Sequence, residues 1–88
     1  MKKVRSGHFT AYILKCADGT LYSGYANDLE KRLKTHNEGK GAKYTRGRLP
    51  VIVAWHQDFK YYKAAVKKEA ALKRLTKKEK EKLIKKNH

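Results

Sequence analysis

Two β-prone runs flank the tetrapeptide Ala17-Asp18-Gly19-Thr20, and this arrangement constrains the chain more than any other feature. Asp-Gly reaches positive φ at low cost, so it closes a tight turn. Phe9 to Cys16 precedes it, with Phe9, Tyr12, Ile13 and Leu14 supplying strand-forming bulk, and Leu21 to Tyr25 follows. The chain therefore starts with an antiparallel hairpin, and everything after it must cover that hairpin.

The later segments are helical with one exception. Asn27 is positioned to cap a helix, with Glu30 three residues on as a loose capping box. Leu29, Leu33 and His36 then fall on one face, and Gly39 ends the helix. A basic loop, Lys40 to Pro50, leads to a third strand at Val51 to Trp55. Residues 61–75 read as a helix with Tyr62, Ala65, Glu69 and Leu72 on one face. Thr76-Lys-Lys-Glu79 is a capping box that opens a last helix carrying Leu83 and Ile84 among lysines. The order β-β-α-β-α-α predicts an α+β fold: a three-stranded antiparallel sheet flanked by helices. Residues 1–7 read as a basic flexible tail and 8–86 as a single domain.

At 88 residues the chain makes one small domain, and about 40% apolar residues suffice for one core. Charge narrows the function. Lys and Arg number 23 against 8 Asp and Glu, a formal +15. Solubility asks for roughly 2 to 8 units in a small domain. The excess points to a polyanionic partner. Cys16 is the lone cysteine, which excludes an internal disulfide and a cysteine-based zinc site. No apolar run approaches the roughly 20 residues of a membrane span, and no export signal is visible. The expected setting is the cytoplasm, with no membrane partner. A lone domain of such self-repelling charge is expected to be a monomer.

Several residues have the chemistry to act. Tyr12 and Tyr22 sit on opposite arms of the hairpin and can share a face, although aromatic cross-strand pairs are ordinary sheet packing. Arg32 and His36, four apart, share a helix face bordering the apolar stripe. An arginine there ordinarily snorkels to solvent, and a histidine there ordinarily packs. Glu69 is the sole acid between Asp58 and Glu79, on the face that should be buried. An inward carboxylate needs a partner: a cation such as Arg32, or a divalent metal. Lys40, Lys43, Tyr44, Thr45, Arg46 and Arg48 form a loop suited to phosphate contacts, and Tyr44 has a ring on which a base can stack. Residues 73–86 hold eight basic and two acidic residues, which suits either a phosphate-tracking or a solvated helix.

Taken in order, Thr10-Ala11-Tyr12, Tyr22-Ser23-Gly24, Arg32, His36, Lys43-Tyr44-Thr45 and Glu69 resemble the GIY-YIG endonuclease superfamily. The runs from Tyr12 to Gly24 and from His36 to Arg46 resemble its small stand-alone branch, the URI-type or UPF0213 proteins. The first motif departs from the family pattern by reading Thr-Ala-Tyr, and the second by reading Tyr-Ser-Gly. The resemblance implies a metal-dependent endonuclease acting on DNA more readily than on RNA, with repair or recombination as settings. It implies one Mg²⁺ or Mn²⁺ on Glu69, and Tyr12 orienting or deprotonating the attacking water. A free phenol has a pKa of about 10, and nearby cations are expected to lower it. Arg32 would hold the scissile phosphate, Tyr22 and His36 would complete the hydrogen-bonded shell, and the basic loop would grip neighbouring phosphates. The alternatives are a non-catalytic nucleic-acid-binding module on the same fold and a basic protein that binds acidic partners.

Overall fold

The computed structural model describes residues 8–86, so the expected basic tail at 1–7 lies outside the described residues. The elements are β1 (Phe9–Lys15), β2 (Leu21–Ala26), α1 (Leu29–Asn37), α2 (Lys43–Arg46), β3 (Ile52–Phe59), α3 (Tyr62–Arg74) and α4 (Lys77–Lys86). The sheet has the order β2-β1-β3, with β1 antiparallel to both neighbours. The α+β fold expected from the sequence is the one observed.

The hairpin forms as its turn residues require. Gly19 has φ +87°, and the Asp18 carboxylate accepts from the Thr20 backbone N–H and hydroxyl at 3.0 and 2.6 Å. As the central strand, β1 is covered on both faces, and Thr10 through Leu14 are all buried. Alternation sorts its side chains. Tyr12 and Leu14 join Leu29 and Leu33 of α1, together with Val51. Ala11 and Ile13 join Trp55, Leu72 of α3, and Leu83 and Ile84 of α4. Helices thus lie on both faces of the sheet. Completely burying an aliphatic side chain such as Ile13 or Leu14 is worth about 1.5–3 kcal/mol.

Three local expectations are corrected. The cap of α1 is Asp28, whose carboxylate accepts from Lys31 N–H at 3.1 Å, and not Asn27. Part of the expected basic loop is helical, as the single turn α2. Strand β3 runs on to Phe59, past Trp55, because His56, Gln57 and Asp58 pair through their backbones with Tyr12, Ala11 and Thr10. Their side chains are exposed, so no apolar signal marks them. Val51 precedes the strand but is 1% exposed. The Asn37 side chain holds it by accepting from Val51 N–H at 2.7 Å and donating to its carbonyl at 3.0 Å. The capping box of α4 forms as read, with Thr76 N–H to Glu79 Oε1 at 2.8 Å and Glu79 N–H to Thr76 Oγ1 at 3.1 Å.

Candidate active site at the β2 edge

Strand β2 is an edge of the sheet, and a cleft of about 360 Å³ opens there. Tyr12 and Tyr22 both line it. The register pairs Tyr12 with Gly24 and Tyr22 with Leu14, so the two tyrosines sit diagonally on one face. Gly24 is the position that lets Tyr12 through: a Cβ there would lie 2.6 Å from the Tyr12 hydroxyl. Any side chain at 24 would force the Tyr12 phenol to shift.

Two helices from opposite faces of the sheet supply the charges. Arg32 comes from α1 and Glu69 from α3, and both line the same cleft. Arg32 is exposed, and among the described residues no hydrogen bond or ion pair engages its guanidinium. An unpaired guanidinium facing a cleft is a ready anion clamp. The Glu69 side chain is 18% exposed and pairs with Lys73 Nζ at 3.3 Å, one helical turn away. The cation that answers Glu69 is therefore Lys73, and not the Arg32 considered from the sequence. Among the described residues no group of three or more His, Cys, Asp or Glu gathers into a metal cluster. Glu69 remains the one carboxylate in the cleft.

Behind Tyr12 runs a buried relay. The Tyr12 hydroxyl lies 3.4 Å from His36 Nε2, and His36 Nδ1 lies 2.9 Å from Thr45 Oγ1. Thr45 donates its own proton to the Ala42 carbonyl at 2.9 Å. A hydroxyl has one proton to give. Thr45 must therefore accept from His36 Nδ1–H, which leaves Nε2 bare to accept from Tyr12. His36 is 1% and Thr45 0% exposed. Thr45, expected among the phosphate-contacting residues, instead turns inward and fixes the histidine tautomer.

The protonation states follow from burial. The Tyr12 phenol is pushed up to about 12, chiefly by desolvation. Arg32 pulls it down, but Tyr22 and Glu69 add to the rise. The lowering expected from nearby cations is thus outweighed, and Tyr12 is a neutral hydroxyl at physiological pH. Burial, and then the Arg32 charge, hold the His36 imidazole below its ordinary value. A base whose folded value lies below its unfolded value is stabilised in its neutral form. That contribution is complete above the unfolded value of about 6.5 and is lost as pH falls through the folded value. The melting temperature is therefore expected to fall more steeply between pH 7 and 5 in the wild type than in His36→Gln. Equal slopes in the two proteins would remove His36 as the cause.

The basic loop divides. Lys40, Lys43 and Arg46 are exposed, although Arg46 Nε also donates to the Gly41 carbonyl at 3.3 Å. Arg48 is committed: its Nε donates to Asp18 at 3.0 Å and its Nη1 to the Tyr44 carbonyl at 2.7 Å. Tyr44 stacks on Tyr22, with centroids 5.7 Å apart and planes 28° apart, and the Arg48 guanidinium lies 4.2 Å over its ring. Its ring is already engaged, so Tyr44 is a poor base platform and serves to brace Tyr22. The sequence reading missed Tyr62, Tyr25 and Phe9, which also line the cleft. A larger groove of about 680 Å³ lies between Leu21 and α4, and none of Tyr12, Tyr22, Arg32, His36 and Glu69 lines it.

Comparison with known proteins gives the chain a family. The family model for the GIY-YIG catalytic domain matches residues 8–83. A UPF0213 protein of Bacillus pumilus is 56% identical over 70 residues, covering 80% of this chain and 71% of that one. A UPF0213 protein of Bacillus velezensis is 53% identical over 79 residues, covering 90% and 79%. The solution structure of a Bacillus halodurans UPF0213 protein superposes with a TM-score of 0.58 at 41% identity, covering 89% of this chain and 83% of that one. An E. faecalis protein superposes with a TM-score of 0.62 at 44% identity, covering 99% and 88%. With the family's two tyrosine motifs meeting Arg32 and Glu69 in one cleft, the chain belongs to the GIY-YIG nuclease family and, within it, to the UPF0213 proteins.

Proposed function

We propose that the chain is an endonuclease that hydrolyses phosphodiester bonds in DNA at the β2-edge cleft, with one divalent cation on Glu69. The observation that carries this reading is the convergence of an unpaired Arg32 and a shielded Glu69, from opposite faces of the sheet, beside the Tyr12 hydroxyl. A bare basic binding surface has no use for a carboxylate there.

The donor set fits Mg²⁺ or Mn²⁺. Such ions keep several waters and take one or two carboxylates plus substrate phosphate. Glu69 supplies one carboxylate in an open cleft. Held by Glu69, such a cation would supply positive charge against the charge developing on the phosphate and would make a nearby water easier to deprotonate. The chain's own residues do the rest. Arg32 holds the non-bridging oxygens of the scissile phosphate and meets the charge that grows on them. The Tyr12 oxygen orients the attacking water. As the water oxygen bonds to phosphorus and the ester P–O bond breaks, the proton lost by water passes to Tyr12 and the leaving alkoxide takes a proton from solvent. Tyr12 hands its own proton to His36 Nε2. A neutral imidazole with a bare Nε2 is the state that this transfer needs. Tyr22 closes the wall of the cleft, and Lys40, Lys43 and Arg46 hold phosphates to either side.

The test is cleavage of labelled single-stranded, duplex and branched DNA, and of RNA, with Mg²⁺ or Mn²⁺ and with chelator. Metal-dependent cutting is expected. Binding with a steep salt dependence but no cutting under any condition would instead make the chain a binding module. The Lys73–Glu69 ion pair is the observation that favours that second reading, because it satisfies the carboxylate without a metal.

A further inference from the structure

The cleft has an aromatic wall that the chemistry above does not use. Tyr62 opens α3 and meets Phe9 edge-to-face, with centroids 5.7 Å apart and planes at 72°. It meets Tyr25 in the same way, at 5.7 Å and 73°, and the two hydroxyls lie 3.3 Å apart. That shared hydrogen bond raises the Tyr25 phenol, which presents no negative charge to a polyanion. All three rings line the cleft with Arg32 and Glu69. Tyr62 nevertheless remains 51% exposed, and its neighbour Tyr61 67%. A core aromatic is packed away from water. This ring is instead braced by two others and left open beside an anion clamp.

We infer that Tyr62, held by Phe9 and Tyr25, is the platform on which an unpaired nucleobase next to the scissile phosphate stacks. Every base presents a π-face, so such a platform tolerates any sequence. A base paired inside a duplex cannot reach it, because its faces are covered by its neighbours. Two other tyrosines are exposed, but Tyr44 has its ring engaged by Tyr22 and Arg48 and Tyr61 does not line the cleft, which leaves the role to Tyr62. The inference rests on the proposed function in one respect: the phosphate beside the stacked base is the one on Arg32. It assigns the substrate class of that site, a strand unpaired at the point of contact.

The experiment reads binding with metal chelated, so no turnover enters. Fluorescence anisotropy is measured on a labelled thymidine oligonucleotide and on an abasic strand of equal length and charge. A uridine oligoribonucleotide serves as the RNA arm. Wild type is expected to bind the base-bearing strands about 5- to 100-fold more tightly than the abasic one. Tyr62→Ala should lose most of that difference and keep wild-type affinity for the abasic strand. Tyr62→Phe, which keeps the ring, should retain the difference. Equal binding of both strands by wild type overturns the inference, as does a Tyr62→Ala variant that weakens on both strands alike. A Tyr62-dependent difference in a protein that never cuts would keep the platform and remove the nuclease reading. Cutting without any such difference would do the reverse.

Discussion

Replacing Arg32 with alanine is expected to slow cleavage by about 10²–10³-fold while the domain stays folded. The size follows from its placement. Arg32 is exposed and has no partner among the described residues, so its removal breaks no packing and leaves no buried group unpaired. Stability should change by no more than about 0.5 kcal/mol. The rate loss should fall on turnover, because the guanidinium matters most when charge builds on the phosphate. Binding should weaken uniformly across sequences, and its salt slope should drop by about 1. Arg32→Lys keeps the charge but loses the fork, and should recover only part of the rate. A further readout belongs to the same residue. Arg32 helps hold the His36 imidazole down, so the alanine variant should show a higher His36 pKa by NMR titration. Unfolding of Arg32→Ala, or an unchanged rate, would give Arg32 a structural role or none.

The architecture explains why this site was partly legible in the sequence. The hairpin was written in Asp18-Gly19, and the last helix in Thr76 and Glu79, because turns and caps are made by residues close in sequence. Tyr12 and Tyr22 were placed together by hairpin alternation alone. Beyond such local rules the sequence spoke less clearly. Thr45 looks like a loop hydroxyl free for phosphate, but its partner is His36, fixed by how α1 and α2 pack. Asn37 binds Val51 across 14 residues, and nothing in either neighbourhood marks the pair. The Tyr12 phenol shows the same limit in electrostatics. Counting nearby cations predicts a lowered pKa, yet Tyr12 is 1% exposed and burial outweighs Arg32. Burial is a property of the assembled sheet and is not written at one position. The edge strand is what makes the site. Arg32 and Glu69 ride on helices that cover opposite faces, and they meet where β2 ends the sheet. Gly24 keeps that meeting place open.

The Glu69→Gln variant should lose metal-dependent cleavage almost entirely, and should do so without losing its grip on nucleic acid. Glutamine keeps the shape of the side chain but offers a metal no anionic ligand. For the wild type, a cation that binds only the folded state raises stability by about 2.7 kcal/mol at 100 times its dissociation constant. A melting curve with and without Mn²⁺ should show that rise in the wild type and not in Glu69→Gln. Binding in chelator runs the other way. Without the cation, Glu69 is a negative charge in the cleft that receives phosphate, offset in part by Lys73. Neutralising it also frees Lys73, so Glu69→Gln should bind DNA at least as tightly as wild type under chelation. The opposite signs matter, because a misfolded variant would lose both. Equal cutting by the two proteins would move the metal off Glu69 and leave the carboxylate as the partner of Lys73 alone.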